Sequence, residues 1–309
     1  MAPQSFNRWR SHAQMAAIAV VAAVMLLALA EFALRLAGVT DFPTYETDDT
    51  IGYIPAPAQS GAFLNKNRWQ LNERSMGSGP WQPDGQRDLV LLGDSIVWGG
   101  NPLDQPDKLG PQLQAVSGSR WRVWSAAAGS WSVRNQLAYL DRYPDVEAEA
   151  DALVWVLNTG DLSAEPSRWH SDSTHPRSRP HSALLYVANK YAAPRLGFST
   201  GGGEPLPATD SSAISTLTAS LLSQRLSALA ASKQVLVVLY PDINELDAPT
   251  DHYLRFKQVL TTAMNGCCAL LELRDQPDWK ADLYRDSIHP SPQGNRVLAH
   301  LIYNTTASD

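Results

Sequence analysis

Cysteine is scarce in this sequence. Of 309 residues only two are cysteines, and they are neighbours, Cys267 and Cys268. Adjacent cysteines rarely bridge each other, and a disulfide framework or a zinc site needs spacings that this chain lacks. We interpret the pair as two small apolar residues entering a strand, and we expect neither a metal site nor a cofactor.

Positive charge is also in short supply. Lysine and arginine number 25 against 31 aspartate and glutamate residues, which gives a formal net charge of -6. Proteins that bind nucleic acid normally present a basic face to the phosphates. The charge balance therefore argues against a nucleic-acid partner, and the length allows one large domain or two small ones.

One long apolar run lies near the N-terminus. Residues 15–30 are apolar or small without interruption, and with the residues up to 39 the run is long enough to span a bilayer. Arg8 and Arg10 precede it, whereas residues 41–49 contain four acidic side chains. This asymmetry predicts an N-terminus in the cytoplasm and the bulk of the chain outside.

Two interpretations of this run stay open. An uncleaved transmembrane anchor over residues 13–39, after a cytoplasmic stretch of residues 1–12, is favoured because apolar residues resume after Glu31. The rival is a signal peptide cut after Ala30. The expected location is a bacterial inner membrane with the domain in the periplasm, or a secreted or periplasmic protein if the run is cleaved.

The rest of the chain changes character at residue 87. Residues 40–86 mix proline, glycine and amides with scattered aromatics, and predict a stem or lead-in. Beyond them, short apolar runs alternate with helical patterns. The strand candidates are residues 89–92, 122–126, 152–157, 235–240 and 269–273, and the helix candidates are residues 133–143, 212–233, 253–264 and 293–304. The alternation predicts one α/β domain, residues 87–309, with a parallel sheet covered on both faces.

An insertion interrupts this alternation at about residues 162–208. Serine, proline, arginine, histidine and glycine dominate it, with a short helical patch at residues 183–191. We expect it to lie over the strand ends. There it would form either one wall of a substrate cleft or a surface excursion.

Two short motifs carry the chemistry. An apolar run ends in Gly93-Asp94-Ser95, and Asp286-Ser287-Ile288-His289-Pro290 precedes the last helix candidate. A serine hydroxyl needs a base within hydrogen-bond reach to act as a nucleophile. His289 is the candidate base, and Asp286 can fix its tautomer and stabilise the imidazolium. The N–H of Ser95, at the start of a helix, can donate to an oxyanion.

This pair of motifs resembles the SGNH, or GDSL-type, hydrolase superfamily. The resemblance covers about residues 89–303, and the apolar N-terminal run is similar to that of membrane-anchored members from bacterial envelopes. It implies a flavodoxin-like three-layer α/β/α sandwich with a five-stranded parallel sheet, here preceded by a transmembrane helix. The implied activity is ester hydrolysis or acyl transfer by Ser95, His289 and Asp286.

The resemblance also implies an oxyanion hole, and here the sequence departs from the pattern. Gly129 matches a glycine whose N–H joins that of Ser95. The usual Gly-x-Asn-Asp block, however, reads Asn158-Thr159-Gly160-Asp161, so Gly160 occupies the place of the donor asparagine. Residues two apart in an extended chain face the same side, so Asn158 could supply the donor. Otherwise two backbone donors remain, or activity is weak.

A second Asp-x-x-His-Pro copy lies inside the insertion, at residues 172–176. Its position, far from the terminal helix, argues against His175 as the base. His175 could instead line the cleft, together with His170 and His181.

Other residues near the strand ends are candidates for substrate contact. Asp94 and Asp161 both follow strand candidates. Trp98 lies one helical turn after Ser95, and Trp131 lies two residues after Gly129. Indole faces stack on sugar rings, but core packing explains these two tryptophans equally well.

Three functions stay open. The first is a serine esterase acting on O-acyl groups, O-acetyl above all, of an envelope or extracellular polysaccharide. The second is an O-acetyltransferase with the same triad. The third is a non-catalytic glycan-binding or scaffold subunit. The expected partners are an acylated carbohydrate, the membrane through the N-terminal helix, and other polysaccharide-assembly proteins.

Overall fold

The computed structural model describes residues 4–172, 174–196 and 213–307. Three parts of the predicted elements lie outside these described residues: the start of the helix predicted at 212, residues 197–208 of the insertion, and Ser173.

A 33-residue helix, α1 (Gln4–Leu36), opens the chain. It ends before the predicted boundary at residue 39 because Gly38 adopts a φ of +69°. The N–H of Gly38 then bonds the Arg35 carbonyl, and the N–H of Val39 bonds the Leu34 carbonyl, which closes the helix. Residues His12–Leu36 have a mean hydropathy of 2.6. They have the length and composition of a membrane span, although a signal sequence would satisfy the same criteria.

Residues 40–86, predicted as a stem, contain two antiparallel hairpins that pack on the domain. Strand β1 (Tyr45–Asp48) pairs with β2 (Gly52–Pro55), and β3 (Gln59–Phe63) pairs with β4 (Asn67–Leu71). Several of their apolar side chains, among them Tyr45, Tyr53 and Ile54, are buried in the domain core. The abundance of turn-forming residues concealed these hairpins, because each strand is only four or five residues long.

The central sheet has five parallel strands, as predicted. They are β5 (Asp88–Gly93), β6 (Arg122–Ala127), β7 (Ala152–Leu157), β8 (Gln234–Leu239) and β9 (Ala269–Glu272). Their spatial order is β6-β5-β7-β8-β9, and every neighbouring pair is parallel. This is the flavodoxin-like order, so the predicted fold class is confirmed.

Helices cover both faces of this sheet. After α1, the helices of the described residues are α2 (Ser95–Trp98), α3 (Leu109–Ser117), α4 (Val133–Arg142), α5 (Pro144–Glu149), α6 (Ala183–Val187), α7 (Ala193–Arg195), α8 (Thr216–Ala230), α9 (Ile243–Asp247), α10 (Asp251–Met264) and α11 (Pro292–Ala307), of which α6 and α7 belong to the insertion. A π-helical turn, Ala188–Ala192, joins α6 to α7. Alternate strand residues point to opposite faces. Val90 and Leu92 pack with α4, α8 and α10, whereas Leu89 and Leu91 pack with α2, α3 and α11.

The end of α1 is joined to the insertion by polar contacts. The Glu31 carboxylate accepts hydrogen bonds from Ser182 Oγ and from the backbone N–H groups of Ala183 and Leu184, at 2.8–2.9 Å. Arg35 donates to the carbonyl of His181. The first N–H groups of a helix have no partner within the helix, and at the start of α6 Glu31 supplies that partner. The end of α1 is therefore in direct contact with the domain.

Candidate active site

Ser95 lies just beyond the carboxyl end of strand β5, which pairs with β6 and β7, and at the first position of α2. Asp94 caps this short helix, its carboxylate accepting from the N–H of Ile96 at 2.9 Å. Only glycine fits at position 93, because a Cβ there would lie 2.5 Å from a methyl group of Val97. The turn thus follows from the Gly-Asp-Ser sequence, and it places the serine hydroxyl over the sheet edge.

His289 reaches this hydroxyl from the loop that precedes α11. Its Nε2 lies 2.9 Å from Ser95 Oγ, although the two residues are separated by 194 positions. Its Nδ1 lies 2.9 Å from Asp286 Oδ1. A proton on Nδ1, donated to the carboxylate, leaves the Nε2 lone pair free to accept from the serine hydroxyl. These three side chains therefore form a continuous relay.

The loop itself holds Asp286 ionised and oriented. Oδ1 of Asp286 accepts from the backbone N–H groups of His289 at 2.8 Å and Ile288 at 3.1 Å. Partial burial opposes ionisation. These donors and the imidazole outweigh it, and the pKa of Asp286 falls to about 2. The carboxylate is consequently charged throughout the pH range in which a histidine can act as a base.

Asn158 stands beside the nucleophile, although Gly160 occupies the place of the usual asparagine. The Asn158 side-chain NH₂ donates to Asp94 Oδ2 at 3.0 Å, and its oxygen accepts from the N–H of Gly160 at 2.8 Å. One of its two amide hydrogens is therefore committed to Asp94. The backbone N–H of Asn158 is bonded to the Asp161 carboxylate at 2.9 Å. The departure from the family pattern thus leaves at most one amide hydrogen of Asn158 for an oxyanion.

Asp94 and Asp161 are two buried carboxyl groups next to Ser95. Burial raises the pKa of Asp94, against the opposing effects of the Ile96 N–H and of His289 when its imidazole is protonated. Burial and the neighbouring Asp94 also raise the pKa of Asp161 well above its usual value. Both shifts favour the protonated, uncharged form of these carboxyl groups.

Gly129 lies in a turn, and two side chains contact its carbonyl oxygen. The Tyr53 hydroxyl donates to this oxygen, and Nε2 of His175 lies 3.2 Å from it. Ser130, the next residue, has a left-handed φ of +61°, and it lines the same cavity as Ser95. The lead-in, through Tyr53, and the insertion, through His175, therefore position the turn at Gly129. No local motif in the sequence identified Tyr53 or Ser130.

The second Asp-x-x-His copy does not form a carboxylate–imidazole pair. Asp172 accepts from the backbone N–H of Arg177 at 2.8 Å and pairs with its guanidinium. The His175 ring contacts the rings of Tyr45 and Tyr53, with centroids 4.9 and 4.4 Å away. Burial lowers the pKa of His175 to about 4. At neutral pH its uncharged Nε2–H can thus donate to the Gly129 carbonyl.

The two candidate stacking tryptophans are buried. Trp131 is 1% exposed, and its indole N–H donates to the carbonyl of Tyr53 at 2.9 Å. Trp98 is 7% exposed, with Lys108 Nζ 4.6 Å from its ring centroid. Packing therefore accounts for both side chains better than an open sugar-stacking surface does.

A cavity of about 950 Å³ surrounds the Ser95–His289 pair. The insertion forms one wall, and its polar lining residues include Ser163, Glu165, Arg168 and His170. The wall predicted for the insertion is thus present over its described part, whereas His181 lies away from this lining. Among the described residues, no cluster of histidine, cysteine, aspartate or glutamate side chains has the arrangement of a metal site.

Comparison with known proteins gives distant structural similarity alone. No protein-family model matches the chain, and no curated protein matches it. An acetylxylan esterase from Geobacillus stearothermophilus is 14% identical, with a TM-score of 0.44 over 73% of this chain and 96% of its own. A lipolytic G-D-S-L family protein from Veillonella parvula is 13% identical, with a TM-score of 0.43 over 71% and 97%.

A carbohydrate acetylesterase family member from Sinorhizobium meliloti is also similar, at 13% identity, with a TM-score of 0.38 over 72% of this chain and 98% of its own. At such identities the likeness concerns the fold, and the chemistry of the cleft is inferred from its own residues. The chain thus has the sheet order expected from its resemblance to the SGNH/GDSL hydrolases, and Ser95, His289 and Asp286 meet at the carboxyl edge of that sheet.

Proposed function

We propose that this protein is a serine esterase that removes O-acyl groups, O-acetyl in particular, from a polysaccharide. The observation that carries the proposal is the relay from Ser95 Oγ through His289 to Asp286, with both hydrogen-bond distances at 2.9 Å. Nucleophile, base and orienting carboxylate are the three groups that acyl transfer through a serine requires.

The relay supports a two-stage reaction. Ser95 Oγ attacks the acyl carbon while His289 Nε2 takes the hydroxyl proton, and the sugar oxygen leaves with that proton. Water then attacks the acyl-enzyme, giving its proton to His289, and Ser95 is regained as the carboxylic acid departs. The candidate donors to the oxyanion are the N–H groups of Ser95 and Gly129 and the second amide hydrogen of Asn158.

The cleft lining supports an alcohol component rich in hydroxyl groups. Serine hydroxyls, Glu165, Arg168 and His170 face a volume of about 950 Å³, which is large enough for several sugar rings. Hydroxyl, carboxylate and guanidinium groups offer the donors and acceptors that a glycan needs.

The test is acetate release from an acetylated polysaccharide by the full chain in detergent. Wild type should release acetate and Ser95→Ala should not. Absence of release from a panel of acetylated glycans and simple acetyl esters would contradict the esterase. Added acceptor glycan tests the transferase alternative, because transfer at the expense of hydrolysis would assign the protein to that class instead.

We also propose that α1 is an uncleaved anchor that holds the domain against a membrane, N-terminus inside and domain outside. Outside α1, the exposed large apolar side chains of the described chain are Leu64, Leu185, Tyr191, Leu196, Leu217 and Leu254. Leu64 adjoins the end of α1 through its N–H bond to the Gly38 carbonyl, and Leu185 belongs to helix α6, whose start Glu31 caps. Tyr191 and Leu196 follow in the segment that continues α6. This clustering supports a bilayer-facing surface.

Lipid contact can be measured on cysteine variants made in a Cys267→Ser, Cys268→Ser background and reconstituted in nanodiscs. A fluorophore at Val24→Cys should be quenched by lipid-borne nitroxides, and one at Leu185→Cys should be quenched by headgroup nitroxides. Leu254→Cys, equally apolar but on α10, should escape quenching. Equal signals at 185 and 254 would exclude the proposed surface, and an unquenched label at 24 would exclude the anchor.

A further inference from the structure

A second cavity lies beside the Ser95 cleft and differs from it in chemistry. Its volume is about 370 Å³. Its aromatic lining residues are Phe42, Tyr45, Phe63, Trp98, Tyr186 and Tyr191. The polar side chains that join them are few, Asn101, Thr174, His175 and Lys190. Since aromatic rings dominate the lining, this aromatic cavity suits an apolar guest.

The wall between the two spaces is thin and includes His175. Thr174 and His175 line both cavities. The turn at residues 129–130 contributes Gly129 to the aromatic cavity and Ser130 to the Ser95 cleft. The 3.2 Å contact between His175 Nε2 and the Gly129 carbonyl closes the space between the insertion and this turn. The imidazole therefore separates the two cavities.

The surroundings keep this imidazole in place. The rings of Tyr45 and Tyr53 flank it, and burial keeps it uncharged at neutral pH by lowering its pKa to about 4. Neither Asp172, which pairs with Arg177, nor any other carboxylate accepts from its ring nitrogens, whose described partners are Thr174 Oγ1 and the Gly129 carbonyl.

The geometry of the reaction indicates in which direction the acyl group of a substrate points. In the tetrahedral intermediate the leaving oxygen must lie near His289 Nε2, which protonates it. The acyl substituent therefore projects away from His289. The aromatic cavity begins one helical turn beyond Ser95, at Trp98, and on the far side of the Gly129 turn.

We propose that the aromatic cavity is an extension of the acyl-binding site, suited to a linear alkyl chain, and that His175 closes it so that Ser95 accepts short acyl groups. This inference rests on the esterase proposed above. His175 is then a specificity-determining residue that limits acyl length.

The experiment compares kcat/KM for p-nitrophenyl acetate, butanoate, hexanoate and octanoate. Wild type should favour acetate. His175→Ala should raise the octanoate-to-acetate ratio at least ~10-fold, because each newly buried methylene contributes about 0.8 kcal/mol. His170→Ala, which changes a histidine of the same cleft outside the aromatic cavity, should leave that ratio within about twofold.

A second variant controls for misfolding of His175→Ala. His175→Ser opens the same passage with a small polar side chain and should shift the ratio in the same direction. An unchanged ratio in an active His175 variant would overturn the acyl-length role while the esterase stands. Failure of wild type to hydrolyse any of the four esters would instead remove the esterase itself, and the acyl site with it.

Discussion

The two walls of the Ser95 cleft are built in different ways. One wall consists of strand ends and the loop before α11, and it carries Ser95, Asn158 and His289. The opposite wall comes from the lead-in and the insertion, through Tyr53 and through insertion residues such as Ser163, Arg168 and His175. Short motifs adjoining regular elements specify the first wall. Contacts between distant segments specify the second, which holds the turn at Gly129 and encloses the cavity.

Asn135 shows how the second wall is held together. This fully buried residue of α4 donates from its amide nitrogen to the carbonyls of Ile51 and Ser167. Its oxygen accepts from the N–H groups of Ser132 and Ser167, both at 2.9 Å. Gly52 permits the close approach, since a Cβ there would collide with the Ser167 carbonyl. The lead-in, the insertion and the start of α4 thus meet at the side-chain amide of Asn135.

We expect the largest effect on activity when His289 and His175, the histidines of the two Asp-x-x-His-Pro motifs, are each replaced. His289→Ala removes the base and should lower kcat/KM on an acetyl ester by about 10⁴-fold or more. His175→Ala, on the opposite wall, should cost less than about tenfold with the same substrate. A larger loss from His175 than from His289 would reverse the assignment of the base.

Loss of the Asn135 amide should be the next largest effect. Asn135→Leu removes the partner of two carbonyls, two N–H groups and the Ser132 hydroxyl, and should lower the free energy of unfolding by about 4 kcal/mol. Urea unfolding of the full chain in detergent measures this change. Asn67→Ala, at a half-buried site, is the control and should cost less than about 1 kcal/mol. Equal losses at the two sites would mean that Asn135 does not hold the second wall together.

We expect a smaller effect on the free energy of unfolding when the pH is lowered. An unfolded histidine takes up a proton near pH 6.5, whereas folded His175 does so at a pKa of about 4. Between these values the unfolded state binds more protons, so the free energy of unfolding falls as the pH falls, by up to about 3 kcal/mol. Above pH 6.5 this contribution is fully present.

The control for this effect is His175→Gln, which cannot titrate. Unfolding at pH 7 and at pH 4.5 should show a steeper acid loss in wild type than in this variant, because the buried carboxyls Asp94 and Asp161 affect both proteins alike. Parallel pH dependences in the two proteins would contradict the neutral, buried state of His175.

The sequence predicted the first wall well and the second poorly, for a physical reason. Strands covered on both faces read as continuous apolar runs, so the five strands were located within one residue of their bounds. The ends of those strands fix where Ser95 and Asn158 lie. The hairpins of residues 45–71 are too short to show a period, and their burial depends on partners far along the chain.

The same limit applied to individual side chains. Trp98 and Trp131 stood near the motifs, yet burial decides whether an indole packs or binds, and burial depends on the assembled fold. No motif in the sequence pointed to Tyr53, whose hydroxyl donates to the Gly129 carbonyl in the structure. For His175, position in the chain argued against a role as base, and in the structure Asp172 pairs with Arg177 instead.

Covalent labelling with a fluorophosphonate, followed by peptide mapping, tests the central claim most directly. A serine activated by His289 should carry the phosphonyl group at Ser95 in wild type, and Ser95→Ala should show no adduct. His289→Ala should label at least about 10³-fold more slowly, because the hydroxyl has lost its base. An unlabelled wild type, or an adduct on another residue, would contradict the account.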